Sequence, residues 1–113
     1  MGTFPAWRGR GTAQASPPTS AHVASPRDPR LLTQLGVAQS QVRQYREAIA
    51  TFTRGLAIDP NDAILYRYRG HRFISVRQFD SALADLERGN RLDTTNYDIW
   101  YHLGVVRFVR GDF

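Results

Sequence analysis

Three histidines, ten carboxylates and fifteen arginines carry the polar chemistry of this 113-residue chain, which has no cysteine. Thiolate metal sites, disulfides and a cysteine nucleophile are thereby excluded. His71 and His102 could share a metal ion only by meeting across neighbouring helices, and no carboxylate or third histidine stands at a ligand spacing from both. His22 lies in a different part of the chain. No metal or other cofactor is therefore expected. Serine, histidine and aspartate all occur, but without a nucleophile elbow, a phosphate-binding loop or a paired-carboxylate arrangement. The chain is not expected to be an enzyme.

What remains is recognition chemistry. Arg67, Arg69 and Arg72 fall in one short stretch without an acid, and guanidinium forks suit carboxylates. An extended, acidic peptide is the natural guest for such a surface. The net charge of +5 points the same way only weakly. Within residues 29–113, twelve arginines face nine acids, and the complete absence of lysine fits a codon bias as well as a functional choice. RNA or other nucleic acid is the alternative partner, suggested by arginines near Tyr66, Tyr68, Phe73, Trp100 and Tyr101. Acids interleaved with the arginines, and aromatics mostly at core positions, count against it.

These residues are positioned by a repeat. Gly36, Gly70 and Gly104 recur every 34 residues, as do Tyr45, Phe79 and Phe113, and Ala48 and Ala82. Leu31, Leu65 and Ile99 keep the same register, with Leu32, Tyr66 and Trp100, Phe52 and Leu86, and Gly55 and Gly89. A fixed period near 34 marks a helix-turn-helix solenoid. Asp28, Asp62 and Asn96 open each unit with a side chain able to cap a helix, and Pro29 suits a first helical position. Apolar residues then follow at helical spacing, first through 31, 32, 35, 38 and 42, next through 45, 48, 49, 52 and 56. Pro60 ends the first pair. Glycine inside a helix costs about 1 kcal/mol relative to alanine. Its recurrence at 36, 70 and 104 predicts close approach of the paired helices, and Gly55 and Gly89 predict a second tight crossing between neighbouring units.

Leu32, Leu35-Gly36, Ala48, Phe52 and Pro60 in the first unit, Tyr66, Gly70, Ala82 and Leu86 in the second, and Trp100 with Leu103-Gly104 in the third resemble the tetratricopeptide repeat pattern. The resemblance covers residues 29–113. It implies an all-α solenoid of antiparallel helix pairs, about two and a half units long: residues 29–62, 63–96 and a partial 97–113. Departures at Gln39, Arg69 and Arg107, where the family has aromatic or leucine side chains, predict locally loose packing. By resemblance the first helices line a concave groove, and the chain is a non-catalytic scaffold or adaptor that binds a partner peptide there. Groove-facing positions fall on Arg30, Thr33, Val37, Ile64, Arg67, His71, Asp98, Tyr101 and Val105, of which Arg30, Arg67, His71, Asp98 and Tyr101 are the candidate peptide-binding residues. Asp98 could instead simply pair with Arg67. The family's clamp for chaperone carboxyl termini is not expected, because Thr33, Val37, Asp98 and His102 replace its lysines, asparagine and arginine.

Both ends of the chain carry further expectations. Phe113 aligns with Tyr45 and Phe79, so the third unit has only its first helix, and Trp100, Leu103, Val106, Phe108 and Val109 are expected to lack part of their covering. The chain is then a fragment of a longer array or associates with itself through this end. Residues 1–28 hold four prolines among serine, alanine and glycine and are expected to be disordered. Ala13-Gln14-Ala15 looks like a signal-peptidase site but lacks the apolar core of a signal. No stretch is apolar enough to span a membrane, so a cytoplasmic location is favoured, with export the alternative if a longer signal precedes Met1.

Overall fold

A computed structural model describes residues 27–112. Most of the predicted disordered tail, and Phe113, lie outside the described residues. Among the described residues five helices follow one another: α1 (Pro29–Gln41), α2 (Tyr45–Ile58), α3 (Ala63–Ser75), α4 (Phe79–Leu92) and α5 (Tyr97–Arg110). Connections of only three or four residues make consecutive helices antiparallel neighbours.

The predicted caps start the first helix of every unit. Asp28 accepts from the Arg30 amide at 2.9 Å, Asp62 from Ile64 and Leu65, and Asn96 from Ile99. The turns into α2 and α4 are made differently. Arg43 and Arg77 adopt left-handed φ of 66° and 63°, while the amides of Gln44 and Gln78 reach back to Gln39 and Phe73 at 2.8 Å. Gly111, one period on, has φ 83°. One backbone turn thus repeats in all three units although only the last places glycine there.

Two hydrophobic clusters fill the space between helices. Ala48, Phe52, Leu56 and Leu65 join α2 to α3, and Ala82, Leu86, Ile99, Leu103 and Val106 join α4 to α5. Each large side chain removed from water contributes about 1.5–3 kcal/mol. The glycines set how closely the helices approach. A Cβ on Gly36 would lie 2.3 Å from the Phe52 ring and one on Gly70 would lie 3.0 Å from Leu86, both across a helix pair. Gly55 meets Leu65, and Gly89 meets Ile99, across neighbouring units. Gly104 differs: apart from its chain neighbours and its own helix backbone, no atom among the described residues lies within 4 Å of its Cβ position.

Two expectations need correction. Gln39 and Arg69 do not loosen the packing, because each finds a polar partner on a facing helix, whereas Arg107 is exposed and borders an open cleft with Trp100, Leu103 and Gly104. Thr51 donates to Gln39 at 2.7 Å, Arg69 makes two bonds of 2.7 Å to Asp85, and Arg107 reaches Glu87 at 3.2 Å. The apolar residues of α5 are also not uniformly uncovered. Leu103 and Val106 are buried against α4, because they share a helix face with Ile99. Trp100, Phe108 and Val109 on the other faces remain exposed as expected.

Contacts between successive units are uneven. The first helices touch, α1 with α3 and α3 with α5, whereas α2 and α4 have no direct backbone approach among the described residues. Side chains of the first helices are therefore brought together along one side of the stack.

Candidate peptide-binding face

α3 and α5 build the polar centre of this side. Arg67 and His71 lie one turn apart on α3, and Asp98 and His102 one turn apart on α5, so each pair shares a helix face. Asp98 is the hub. Its Oδ2 accepts from Arg67 Nη1 at 3.1 Å and lies 2.9 Å from His71 Nε2, and its Oδ1 lies 3.5 Å from His102 Nδ1. The two imidazole rings are 4.1 Å apart between centroids, tilted by 45°. Tyr101 presents its ring edge-on to His102 at 5.1 Å and stacks on Tyr97 at 6.2 Å.

The His71 ring is largely buried, with 18% of its side chain exposed. Burial, reinforced by neighbouring His102, pushes its pKa down to about 4, against the opposing pull of Asp98. His71 is thus neutral near pH 7. Its Nε2 makes no hydrogen bond although Asp98 Oδ2 is close, and the buried Arg67 Nε also makes none. Arg67 lies over the Tyr68 ring at 4.7 Å, which holds the guanidinium between aromatic face and carboxylate.

Four of the five predicted residues, Arg67, His71, Asp98 and Tyr101, are thereby brought together. Arg30 is not. It bonds Asp28, the cap of its own helix, at 3.0 Å with 88% of its side chain exposed, and no hydrogen bond or ion pair joins it to the cluster among the described residues. Arg69 leaves the triplet of arginines for its partner Asp85, and Arg72 lies over Tyr45 at 5.2 Å. Between α1 and α3 a cleft of about 250 Å³ is lined by Val37, Ser40, Gln41, Tyr68, His71 and Arg72. His102, considered only as a metal partner of His71 and as a clamp position, and Tyr68, named only among the aromatics of the nucleic-acid alternative, also contribute to the site. The Asp98–His102 spacing of four on one helix was the available signal, and it supplies the carboxylate that the two histidines were expected to lack.

No protein-family model and no curated protein matches the sequence. Solved structures do match by shape. MamA superposes with a TM-score of 0.76 at 23% identity over 83% of this chain, and the chain spans 55% of MamA. The first TPR of Spaghetti (RPAP3), solved bound to an HSP90 peptide, gives 0.76 at 20% identity over 82% of this chain and 74% of its own. The Arabidopsis OM64 TPR domain gives 0.69 at 21% identity over 73% and 69%. The fold is that of a tetratricopeptide repeat. In tetratricopeptide terms, the cluster joins the first helices of the second and third units, and the cleft those of the first and second. No helix among the described residues is long and apolar enough to cross a membrane.

Proposed function

We infer that the chain is a non-catalytic protein-interaction scaffold whose first helices form a groove for an extended partner segment carrying carboxylates. The observation that carries this reading is the contact of α1 with α3 and of α3 with α5, which gathers Arg67, His71, Arg72 and Tyr101 on one side while the second helices stay apart. Cationic and aromatic groups in a row match a peptide with alternating acidic and apolar side chains. The RPAP3 domain of the same fold, solved bound to an HSP90 peptide, supports a peptide guest. Its HSP90 peptide is not the expected partner here, since Thr33 and Val37 give neither charge nor amide to hold a terminal carboxylate.

Asp98 already occupies Arg67, so a guest carboxylate must displace it or bind beside it at Arg72. The test is a titration of labelled peptides rich in Asp and Glu, their Asn and Gln counterparts, and a single-stranded RNA. Acidic peptides bind best, Arg67→Ala and Tyr101→Ala each weaken them by about tenfold, and Asp98→Asn tightens them by releasing Arg67. Equal binding of acidic and neutral peptides overturns the reading. Tighter binding of RNA, with a steep loss on adding salt, replaces it with nucleic-acid recognition.

A further inference from the structure

We propose that His71, Asp98 and His102 form a site for a divalent transition-metal ion of the zinc type, linking the first helices of the second and third units. One ligand atom from each residue lies within 4.8 Å of the other two. In a tetrahedral site with bonds of about 2.0–2.2 Å, donor atoms stand about 3.3 Å apart. The His71 Nε2 to Asp98 Oδ2 separation of 2.9 Å is already slightly inside that value. Small side-chain rotations close the wider separations.

A second observation points the same way. His71 Nε2 is buried and makes no hydrogen bond while facing a carboxylate oxygen. A buried ring nitrogen left unpaired 2.9 Å from an anionic oxygen is an unmet polar contact, and a cation bound by both atoms would satisfy each of them. His102 is oriented from outside the cluster, because its Nδ1 lies 2.9 Å from the Asp98 main-chain carbonyl. Donation of Nδ1–H to that carbonyl leaves Nε2 as the nitrogen free to ligate, the arrangement metal-bound histidines commonly adopt, and metal entry then requires the ring to turn Nε2 toward the carboxylate, whose Oδ1 now lies 3.5 Å from Nδ1.

Two imidazoles and one carboxylate, without a thiolate, select zinc, copper, nickel or cobalt over calcium or magnesium. Three protein donors leave a coordination position for water or an outside ligand. The opposing factor is Arg67, whose guanidinium bonds Asp98 Oδ2 at 3.1 Å and repels an incoming cation. Arg67 is thus a built-in competitor of the metal, and its removal is a diagnostic that a purely structural ion-pair cluster would not reproduce. The site stands independently of the peptide reading.

The experiment is calorimetric titration of the full, chelator-treated chain with Zn²⁺, and spectroscopic titration with Co²⁺. One equivalent binds saturably. His71→Gln and His102→Gln each weaken binding by about tenfold or more, Arg67→Gln strengthens it several-fold, and His22→Gln leaves it unchanged. Circular dichroism confirms that each variant is folded, and Co²⁺ bound to the wild type gives the visible absorption of an ordered nitrogen and oxygen ligand set. Absence of saturable binding, binding that survives the His71→Gln/His102→Gln double change, or loss of binding in His22→Gln overturns the proposal. So does an Arg67→Gln variant, folded by circular dichroism, that binds no tighter than wild type.

Discussion

Arg69 and Asp85 face each other across the second helix pair through two parallel bonds of 2.7 Å, with the carboxylate nearly buried. Burial pushes the Asp85 carboxyl up in pKa while the Arg69 bonds pull it down. The same bonds raise the Arg69 guanidinium, which also reaches Thr53 nearer the surface. The two ends are therefore unequal. Arg69→Met strands a buried carboxylate and is expected to cost about 2–4 kcal/mol, whereas Asp85→Ala costs less because Arg69 can turn toward solvent. Urea denaturation should show the Arg69→Met/Asp85→Ala pair less damaging than the sum of the two single changes. Acidification should partly rescue Arg69→Met, since its unpaired Asp85 binds a proton more readily folded than unfolded and stability then falls as pH rises. Strict additivity, or no rescue, would contradict a coupled buried pair.

The architecture was legible because a 34-residue period carries both sides of each contact. Gly36 and Phe52 each recur one period on, as Gly70 and Leu86, so the helix approach follows from the repeat alone. The cluster around Asp98 was only half legible. Position in the repeat placed Arg67, His71 and Asp98 on one side, but the meeting of His71 with His102 depends on how far α5 leans over α3, which no periodicity records. Polar pairs were misjudged for a related reason. Gln39 and Arg69 look like defects when compared with the family's usual residue at each slot, and become partners only when Thr51 and Asp85 are seen across the helix pair.

Glycine at register-equivalent positions should respond oppositely to alanine. At Gly36 the new Cβ would collide with the buried Phe52 ring at 2.3 Å, so Gly36→Ala is expected to destabilise by about 1–3 kcal/mol despite its better helix propensity. At Gly104 nothing opposes the new methyl group among the described residues. Gly104→Ala should stabilise by about 0.5–1 kcal/mol, the ordinary gain in a helix interior. Thermal unfolding of the two variants side by side decides it, and a loss at Gly104 would show that another surface covers α5 in solution.

Arg43 holds φ of 66° at the turn between α1 and α2, where its period equivalent two units on is Gly111. A side chain in this left-handed region costs about 1 kcal/mol, which glycine avoids. Arg43→Gly should therefore raise the midpoint of chemical unfolding, by an amount corresponding to about 0.5–1 kcal/mol, although it removes a residue with better helix propensity. A lower midpoint would mean that the arginine side chain contributes more at this turn than its backbone strain costs.

His71 makes acid the weak side of the chelator-treated protein. Its folded pKa of about 4 lies below the 6.5 of an ordinary histidine, chiefly through burial, with His102, Arg67 and Arg72 also disfavouring the charged ring and Asp98 favouring it. Between these values the unfolded chain binds more protons than the folded one, so stability rises with pH across this window and levels off above it. A tenfold difference in proton affinity between the folded and unfolded chain corresponds to about 1.4 kcal/mol. Solvent screening at the partly exposed ring reduces the total to roughly 2 kcal/mol. His71→Gln should flatten the slope between pH 4 and 6.5 while leaving the carboxylate-driven loss at lower pH intact. Urea midpoints collected across this range for both proteins test the assignment, and an unchanged slope in the variant would place the titrating group elsewhere.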